Sequence, residues 1–445
     1  MLAQHPHQVS GSTQEVQEPV HDMKRIGAAG FTGTLIEYYD LQIFTTAAAL
    51  VFAHLFFPTL GKVAGTVASL GTVGVVFVAR PLGSILFGHF GDRLGRKRTL
   101  VVTLVMMGLS TVLVGILPTS AQIGMLAPIL LILLRVIQGF AVGGEYAGAA
   151  LLIAENAPSG KRGFYSCFPN LGGAVSNSFA GLTLLLITLT MSEQTFRAWG
   201  WRLPFLFSAV LLMVGLYIRL RMEETPVFRE EIKRHGAARI PLLEAIRTQP
   251  RRLFLGCMVQ VPAFTILYLV VTFVTHYGAN ELALGYTHVL WTTVVSGAIL
   301  FVSILFSAKL SDRVGRRPVF VASNALATVW VLALFPLLYS GSFANYAIVV
   351  VVSMLITGLV LGPVGAFMSE LFHTRYRYTA VGLCYNLGGI IGGALPPMLA
   401  GPIISAHGPL AFGGAMAALF FVSFCCSIAM KETMRASLGG SPSDA

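Results

Sequence analysis

Two short stretches decide how this 445-residue chain folds: "GDRLGRKR" at 91–98 and "SDRVGRRP" at 311–318. Asp92, Arg93, Gly95 and Arg96 recur as Asp312, Arg313, Gly315 and Arg316, each 220 positions further on. Both stretches follow apolar runs of membrane-crossing length. A second match keeps nearly the same offset, between "AENAPSGKRGFYSCFPNLGG" starting at 154 and "SELFHTRYRYTAVGLCYNLGG" starting at 369. There Glu155 answers to Glu370, Arg162 to Arg377, and Asn170 to Asn386. The chain therefore reads as two homologous halves. Internal repeats in a polytopic chain are the architecture of carriers that rock about a central site.

Composition supports a membrane setting. The chain is 55% hydrophobic and 11% charged, with mean hydropathy +0.76. Soluble domains carry about 25% charged residues, so lipid must solvate most of these side chains. The 47 glycines fit close helix packing within a bilayer. Five cysteines (Cys167, Cys257, Cys384, Cys425, Cys426) lie in apolar runs without CxxC pairing and read as small hydrophobes. Residues 1–22 are polar and lack the core of a signal peptide, so the first span is expected to serve as the uncleaved insertion signal.

Runs of about 20 apolar residues suffice to span a bilayer. Twelve are expected, at 28–52, 63–88, 99–117, 123–154, 163–189, 203–220, 253–277, 286–308, 319–339, 344–370, 379–404 and 408–430. With the N-terminus inside, 25 of the 30 Lys and Arg residues fall in inside segments and three (Lys62, Arg197, Arg202) outside. Arg80 and Arg135 lie within spans. That asymmetry places both termini in the cytoplasm and accounts for the net charge of +11 through lipid headgroups rather than nucleic acid. The expected organisation is an all-α polytopic membrane protein: tail 1–25, six-helix half 26–220, central loop 221–252, six-helix half 253–430 and tail 431–445. The central loop could form short amphipathic surface helices.

Several polar residues sit where lipid would reject them. "GTLIEYYDLQ" at 33–42 carries Glu37 and Asp40 one helical turn apart, with Tyr38 between them in sequence. Arg80 precedes Asp92 by 12 residues, roughly 18 Å along a helix, at a depth similar to Asp40. In the fourth span Arg135, Gln138 and Glu145 fall within an arc of roughly 80°, a face that must line the bundle interior. Charges at this depth are tolerable when paired across an aqueous cavity. A carboxyl that alternates between a guanidinium and a proton can couple proton flow to transport; a fixed salt bridge stapling two helices is the plainer reading. Asp40 is the first candidate proton site and Glu37 the second. Tyr38, Gln42, Asn170, Asn386, Gln260 and Tyr268 can each bond a polar solute or a neighbouring helix. The Asp-Arg-Gly-Arg turns read as conformational latches, with Asp92 accepting from a helix N-terminus or an arginine and Gly95 tightening the turn. A solvated basic loop would explain the arginines but not the repeated acid and glycine. Glu145, nearer the cytoplasm, weighs more as a gate residue than as a substrate contact.

The D-R-x-G-R-[RK] loop resembles the signature of the major facilitator superfamily. "RVIQGFAVGGEYAGAALLIAENAP" (135–158) and "GTLIEYYDLQIF" (33–44) are similar to the metabolite–proton symporters, which include shikimate, α-ketoglutarate, citrate and proline/betaine carriers. "RPLGSILFGHFGDRLGRKR" (80–98) and "WGWRLPFLFS" (199–208) look most like the shikimate type. This resemblance covers about 25–430 and implies the major facilitator fold. It also implies a proton-coupling acid on span one and an arginine on span four, positions held here by Asp40 and Arg135. Tyr38 and Leu41 depart from the usual Trp and Phe of the first-span motif, and span seven carries neither arginine nor acid. The short tail beyond 430 lacks the coiled coil of some osmosensing betaine carriers.

A proton-driven importer of a small organic acid anion is the leading expectation, acting as a monomer in a bacterial inner membrane and without a cofactor. The proton gradient is then the energy source. Proton-driven efflux, or uptake of a zwitterion such as proline or betaine, is the alternative. Span five lacks the Gly-x-x-x-Gly-Pro-x-x-Gly-Gly pattern of drug exporters. No Walker loop, HExxH or CxxC cluster appears, so ATP-driven or enzymatic chemistry is not expected.

Overall fold

The computed structural model describes residues 23–221, 241–282, 284, 286–436 and 438. Twelve long helices carry the fold. α1 runs Met23–Ala47, then continues through a π-helical turn (Ala48–Phe52) into Ala53–Phe56. α2 is Gly61–Leu94, α3 Arg96–Ile116, α4 Leu126–Asn156, α5 Phe168–Thr190 and α6 Arg202–Leu220. In the second half α7 occupies 250–280 in several segments, starting with Pro250–Met258 and Val261–Tyr268. α8 is Tyr286–Val314, α9 Arg316–Leu338 and α10 Phe343–Leu371. α11 begins as Arg377–Gly389 and ends as Leu395–His407, and α12 is Pro409–Ala429.

Eleven helices among the described residues are long and apolar enough to cross a membrane. α1 is the twelfth long helix. Its first segment alone has 25 residues, roughly 37 Å at 1.5 Å per residue, but Glu37, Asp40 and several threonines make it less apolar than the rest. The same residues are why it sits inside the bundle: Glu37 and Asp40 are both buried. Leucines, valines and methionines stay exposed along the outer faces of the other helices, Val78, Leu189, Met213, Val302 and Met398 among them. An apolar exterior around a partly polar interior is the pattern that lipid imposes.

The two repeated loops are single-residue links. Gly95 joins α2 to α3 with φ 111°, and Gly315 joins α8 to α9 with φ 103°. Both lie in the region that only glycine enters without strain. Gly143 of α4 allows a second kind of economy, close crossing with α2, where a Cβ would come within 2.1 Å of the Arg80 carbonyl oxygen.

Of the central loop, residues 222–240 lie outside the described residues, as does the tail 1–22. The described end of the loop forms a short helix, Pro241–Thr248, tied to the turn Thr374–Tyr376 that precedes α11 by Glu244–Arg375 at 3.1 Å and by the Thr248 hydroxyl donating to the Tyr376 hydroxyl oxygen at 3.1 Å. Met23 packs beside Ile153 and Phe168, and Glu432, Ala436 and Leu438 bond to Arg316, Arg162 and Arg377 respectively. Both described chain ends therefore lie at the end of the bundle that carries the repeated basic loops, called the basic end below.

Candidate functional site

Between the halves, α1 and α5 face α7, α8 and α10 across a cavity of about 560 Å³, counting the part open to solvent. Tyr38, Gln42, Asn170, Asn177 and Tyr268 supply its polar lining, and Leu41, Leu267, Leu300 and Leu361 much of the rest. Gln42 Nε2 donates to Asn177 Oδ1 at 2.8 Å, and Asn177 Nδ2 donates to Ser296 Oγ at 3.2 Å. Asn170 Nδ2 donates to the Leu361 carbonyl at 2.8 Å, joining α5 to α10. Tyr146 and Tyr385 stack with ring centroids 3.5 Å apart, and the Tyr385 and Tyr38 hydroxyls lie 3.3 Å apart. This aromatic layer brings α1, α4 and α11 together next to the cavity.

The two acids of α1 have different partners. Glu37 Oε1 accepts from Arg80 Nη2 at 3.2 Å. Asp40 turns into the N-terminal half, where Oδ2 accepts from Thr111 Oγ1 at 2.5 Å and Oδ1 from Ser208 Oγ at 2.8 Å. Gln138 Nε2 donates to the same Thr111 hydroxyl at 3.0 Å, and the Gln138 side-chain oxygen accepts from Arg135. Asp40 and Arg135 thus communicate through an amide and a hydroxyl, without a direct ion pair. The Arg135 guanidinium lies 3.6 Å from the centroid of the Phe44 ring, a cation–π contact that takes the place of a counter-ion.

Glu145 is engaged elsewhere. It forms a buried ion pair with Arg219 of α6, accepts from Thr103 Oγ1 at 3.0 Å, and Arg219 also donates to the Leu100 carbonyl at 2.6 Å. Arg219, counted by its sequence position among the loop cations, is 2% exposed; Glu145 draws it inward.

At the basic end the repeated acids cap helices of the opposite half. Asp92 accepts from the Tyr378 and Thr379 backbone N–H groups at 3.1 and 3.0 Å and from Thr379 Oγ1 at 2.8 Å, at the N-terminus of α11. Asp312 accepts from the Gly163 and Phe164 N–H groups, both at 2.8 Å, on the short helix Arg162–Ser166 that leads into α5. Arg96 and Arg377 converge on Glu155 Oε1 at 3.5 and 3.2 Å, while Arg316 holds Glu370 at 3.3 Å. Glu432, beyond α12, accepts from the N–H groups of Arg316 and Arg317 at 2.9 and 3.0 Å. Burial opposes its charge, but the N–H groups of Arg316, Met434, Arg317 and Thr433 outweigh it and hold its carboxyl below the usual glutamate range.

Tyr38, Asn170 and Tyr268 line the cavity, and Glu37 and Arg80 adjoin it. Three other expected substrate contacts do not line it. Gln260 Nε2 donates to the Gly256 and Cys384 carbonyls, and Asn386 Nδ2 to those of Gly143 and Gly382; both staple helices. Gln138 serves the Arg135–Thr111 relay. Arg93 and Arg313 are exposed, outside the ring formed by Asp92, Arg96, Glu155, Asp312, Arg316 and Glu370. Sequence reading missed Thr111, Ser208 and Asn177. Asn177 carried a signal, since it lies seven residues, two helical turns, beyond Asn170 on the same face of α5.

Two six-helix lobes around a cavity, locked together at one end, define a membrane transporter. The chain belongs to the Major Facilitator Superfamily, whose family model matches residues 30–397. It is 39% identical to the inner membrane metabolite transport protein YhjE of Escherichia coli (strain K12), over 94% of this chain and 97% of that protein. It is 35% identical to the shikimate transporter of the same organism, over 93% and 95%. Among solved structures, the proton:xylose symporter XylE bound to 6-bromo-6-deoxy-D-glucose superposes with a TM-score of 0.79 at 16% identity, covering 94% of this chain and 98% of that one. That likeness concerns the fold.

Proposed function

We propose that this transporter is a proton-coupled symporter that imports a small organic acid anion by alternating access. One observation carries the reading: two carboxyls of α1 and two guanidiniums, Arg80 and Arg135, are buried inside the bundle, and Tyr38 and Leu41, the chain neighbours of those carboxyls, line the cavity between the halves. The cations favour an anionic substrate. The acids supply groups that can take up and release a proton as their partners change. Asp40 is the leading proton site, because its carboxylate is held by hydroxyls and reaches Arg135 only through Gln138, so its bonds can rearrange without separating an ion pair. The similarity to a shikimate transporter supports an organic acid as substrate.

The excess of basic residues favours a cytoplasmic basic end, with both termini inside, in a bacterial inner membrane. In that orientation the Asp92 and Asp312 caps close the cytoplasmic side. Transport then requires those caps to release as the halves rock apart around the cavity. The monomer contains the whole pathway, and the proton gradient supplies the energy without a cofactor.

The test is accumulation of radiolabelled carboxylates, shikimate among them, in proteoliposomes under an inward proton gradient. Wild-type protein accumulates at least one acid, and Asp40→Asn exchanges that acid across the membrane without concentrating it. Accumulation by Asp40→Asn equal to wild type removes Asp40 from the coupling. Gradient-independent transport of every acid that crosses removes symport itself.

A further inference from the structure

Arg80 is held by a single oxygen of a single acid. Its Nη2 donates to Glu37 Oε1 at 3.2 Å. The second oxygen of that carboxyl, Glu37 Oε2, is buried without a hydrogen-bond partner, and so is Arg80 Nε, while the Tyr268 hydroxyl lies within reach of Arg80 and Tyr38. A buried polar atom left unmatched keeps its desolvation cost uncompensated. A guanidinium facing a carboxylate ordinarily uses two parallel N–H bonds; here the second is unused.

These unmatched atoms lie beside the cavity. Tyr268 lines it, as does Tyr38, and Arg80 is within electrostatic range of Tyr38, Tyr268 and Tyr385. Arg80 and Glu37 are 6% and 3% exposed, against 1% and 0% for Arg135 and Asp40. Of the two arginine–acid sets, this is the one a solute in the cavity can reach. The charged groups around Glu37 are Arg80 on α2, Asp40 on α1, Glu145 on α4 and Arg219 on α6, and the last two are paired with each other.

We propose that Arg80 is the carboxylate anchor of the transported acid and that Glu37 is the internal anion which that carboxylate displaces. The proposal rests on the organic-acid reading above. The substrate carboxylate takes the Nη2 and Nε donors of Arg80, the Arg80–Glu37 bond breaks, and Glu37 takes up one proton. No covalent bond to carbon changes. The cluster keeps one cation and one anion before and after, so the exchange leaves no uncompensated charge in the bilayer. The Tyr268 and Tyr38 hydroxyls donate to the remaining lone pairs of the bound carboxylate. Binding itself thereby takes up a proton, at a site separate from Asp40. An ester or amide of the same compound cannot displace Glu37 and takes up none.

The experiment is calorimetric titration of the purified full-length protein with shikimate, succinate and citrate, each beside its methyl ester, in buffers of different ionisation enthalpy. Binding of an acid by the wild type takes up about one proton per displaced Glu37, and the Asp40→Asn protein keeps that uptake. Glu37→Gln binds the acid more tightly and takes up no proton. Arg80→Gln weakens the acid by about tenfold or more and leaves the ester unchanged, while Arg80→Lys restores part of the loss. Proton uptake that persists in Glu37→Gln, or equal weakening of acid and ester by Arg80→Gln, overturns the exchange and leaves proton-driven acid transport standing. If none of the acids binds or accumulates in the wild type, the organic-acid reading falls and this proposal with it. Should the Glu37 and Arg80 variants fail to fold, the wild type decides alone: acid binding without proton uptake sinks the proposal.

Discussion

Asp92 and Asp312 perform the same act from opposite halves. Each lies in the last turn of the second helix of its half, and each caps a helix start in the other half, α11 for Asp92 and the approach to α5 for Asp312. A carboxylate accepting two backbone N–H groups at a helix N-terminus gains from hydrogen bonding and from the helix dipole together. The pair is also reversible, because nothing covalent holds it. A sequence repeat thereby becomes a two-point clasp whose release would free both ends of the interface.

Weakening either clasp is expected to favour opening at the basic end. Hydrogen bonds to charged groups contribute about 1.5–3 kcal/mol, so Asp312→Asn shifts the closed-to-open ratio by about tenfold or more. Cys167 reports on this, since it is buried beside the helix that Asp312 caps. Alkylation of Cys167 by a permeant maleimide, read by mass spectrometry, rises in Asp312→Asn. An unchanged rate at Cys167 argues against the clasp.

The stacked Tyr146 and Tyr385 rings contact Tyr38 and Asn170 of the cavity wall, and Tyr385 shares α11 with the Asp92 cap at Tyr378 and Thr379. Tyr385→Phe keeps the stack and gives up only the hydroxyl contact with Tyr38. Tyr385→Ala removes the layer, exposes Tyr146 and Phe264, and opens a path beside α11. The expected result in proteoliposomes is solute leak down its gradient for the alanine variant and a tight carrier for the phenylalanine variant. Equal tightness of the two places the seal elsewhere.

The Glu145–Arg219 pair is expected to govern stability. Removing one partner leaves the other buried and uncompensated, a loss of about 3–5 kcal/mol. Glu145→Gln therefore melts well below wild type in detergent. Replacing both, as Glu145→Leu with Arg219→Met, recovers most of the loss because no bare charge remains. If the double variant is no more stable than Glu145→Gln, the pair does more than balance charge.

Much of this arrangement was legible in the sequence, for physical reasons that also explain what was hidden. The halves were visible because their turns need an acid and a left-handed glycine at fixed spacing. The polar face of α4 was visible because periodicity reports which residues share a side of one helix. Periodicity does not report which neighbour that side meets. Asp40 was placed at a depth similar to Arg80, but Arg80 meets Glu37 one turn away, and the Thr111 and Ser208 hydroxyls that hold Asp40 were indistinguishable from other serines and threonines that bond their own backbone, as Thr45 does with Leu41. Gln260 and Asn386 looked like solute contacts because a polar side chain in a span must bond something. Here carbonyls of closely packed helices satisfy them first. Arg219, at the end of the sixth span, was counted among the inside cations, because nothing in the sequence tells that Glu145 stands opposite it.

Glu432 gives the final prediction, and its sign follows from its environment. Its carboxyl is held below the usual range by backbone N–H groups of Arg316, Arg317, Thr433 and Met434, against the opposing effect of burial. A depressed value means that the charged form is favoured in the closed fold. The contribution is fully present above the unfolded value of about 4.3 and is lost as pH falls through the lower folded value. Glu432→Gln, which cannot ionise, is expected to lose that contribution at neutral pH. The N-terminus of α9 then lacks its anionic cap, and the chain that bonds Glu370 through Thr433 and Arg162 through the Ala436 carbonyl loses its anchor. Proteolysis at the basic end, followed by mass spectrometry, reads the effect as cleavage after Lys431 and Arg435. Cleavage at neutral pH is expected to be faster in Glu432→Gln than in wild type, and Glu432→Asp is expected to fall between them. Identical cleavage of all three proteins removes Glu432 from the closure of the basic end.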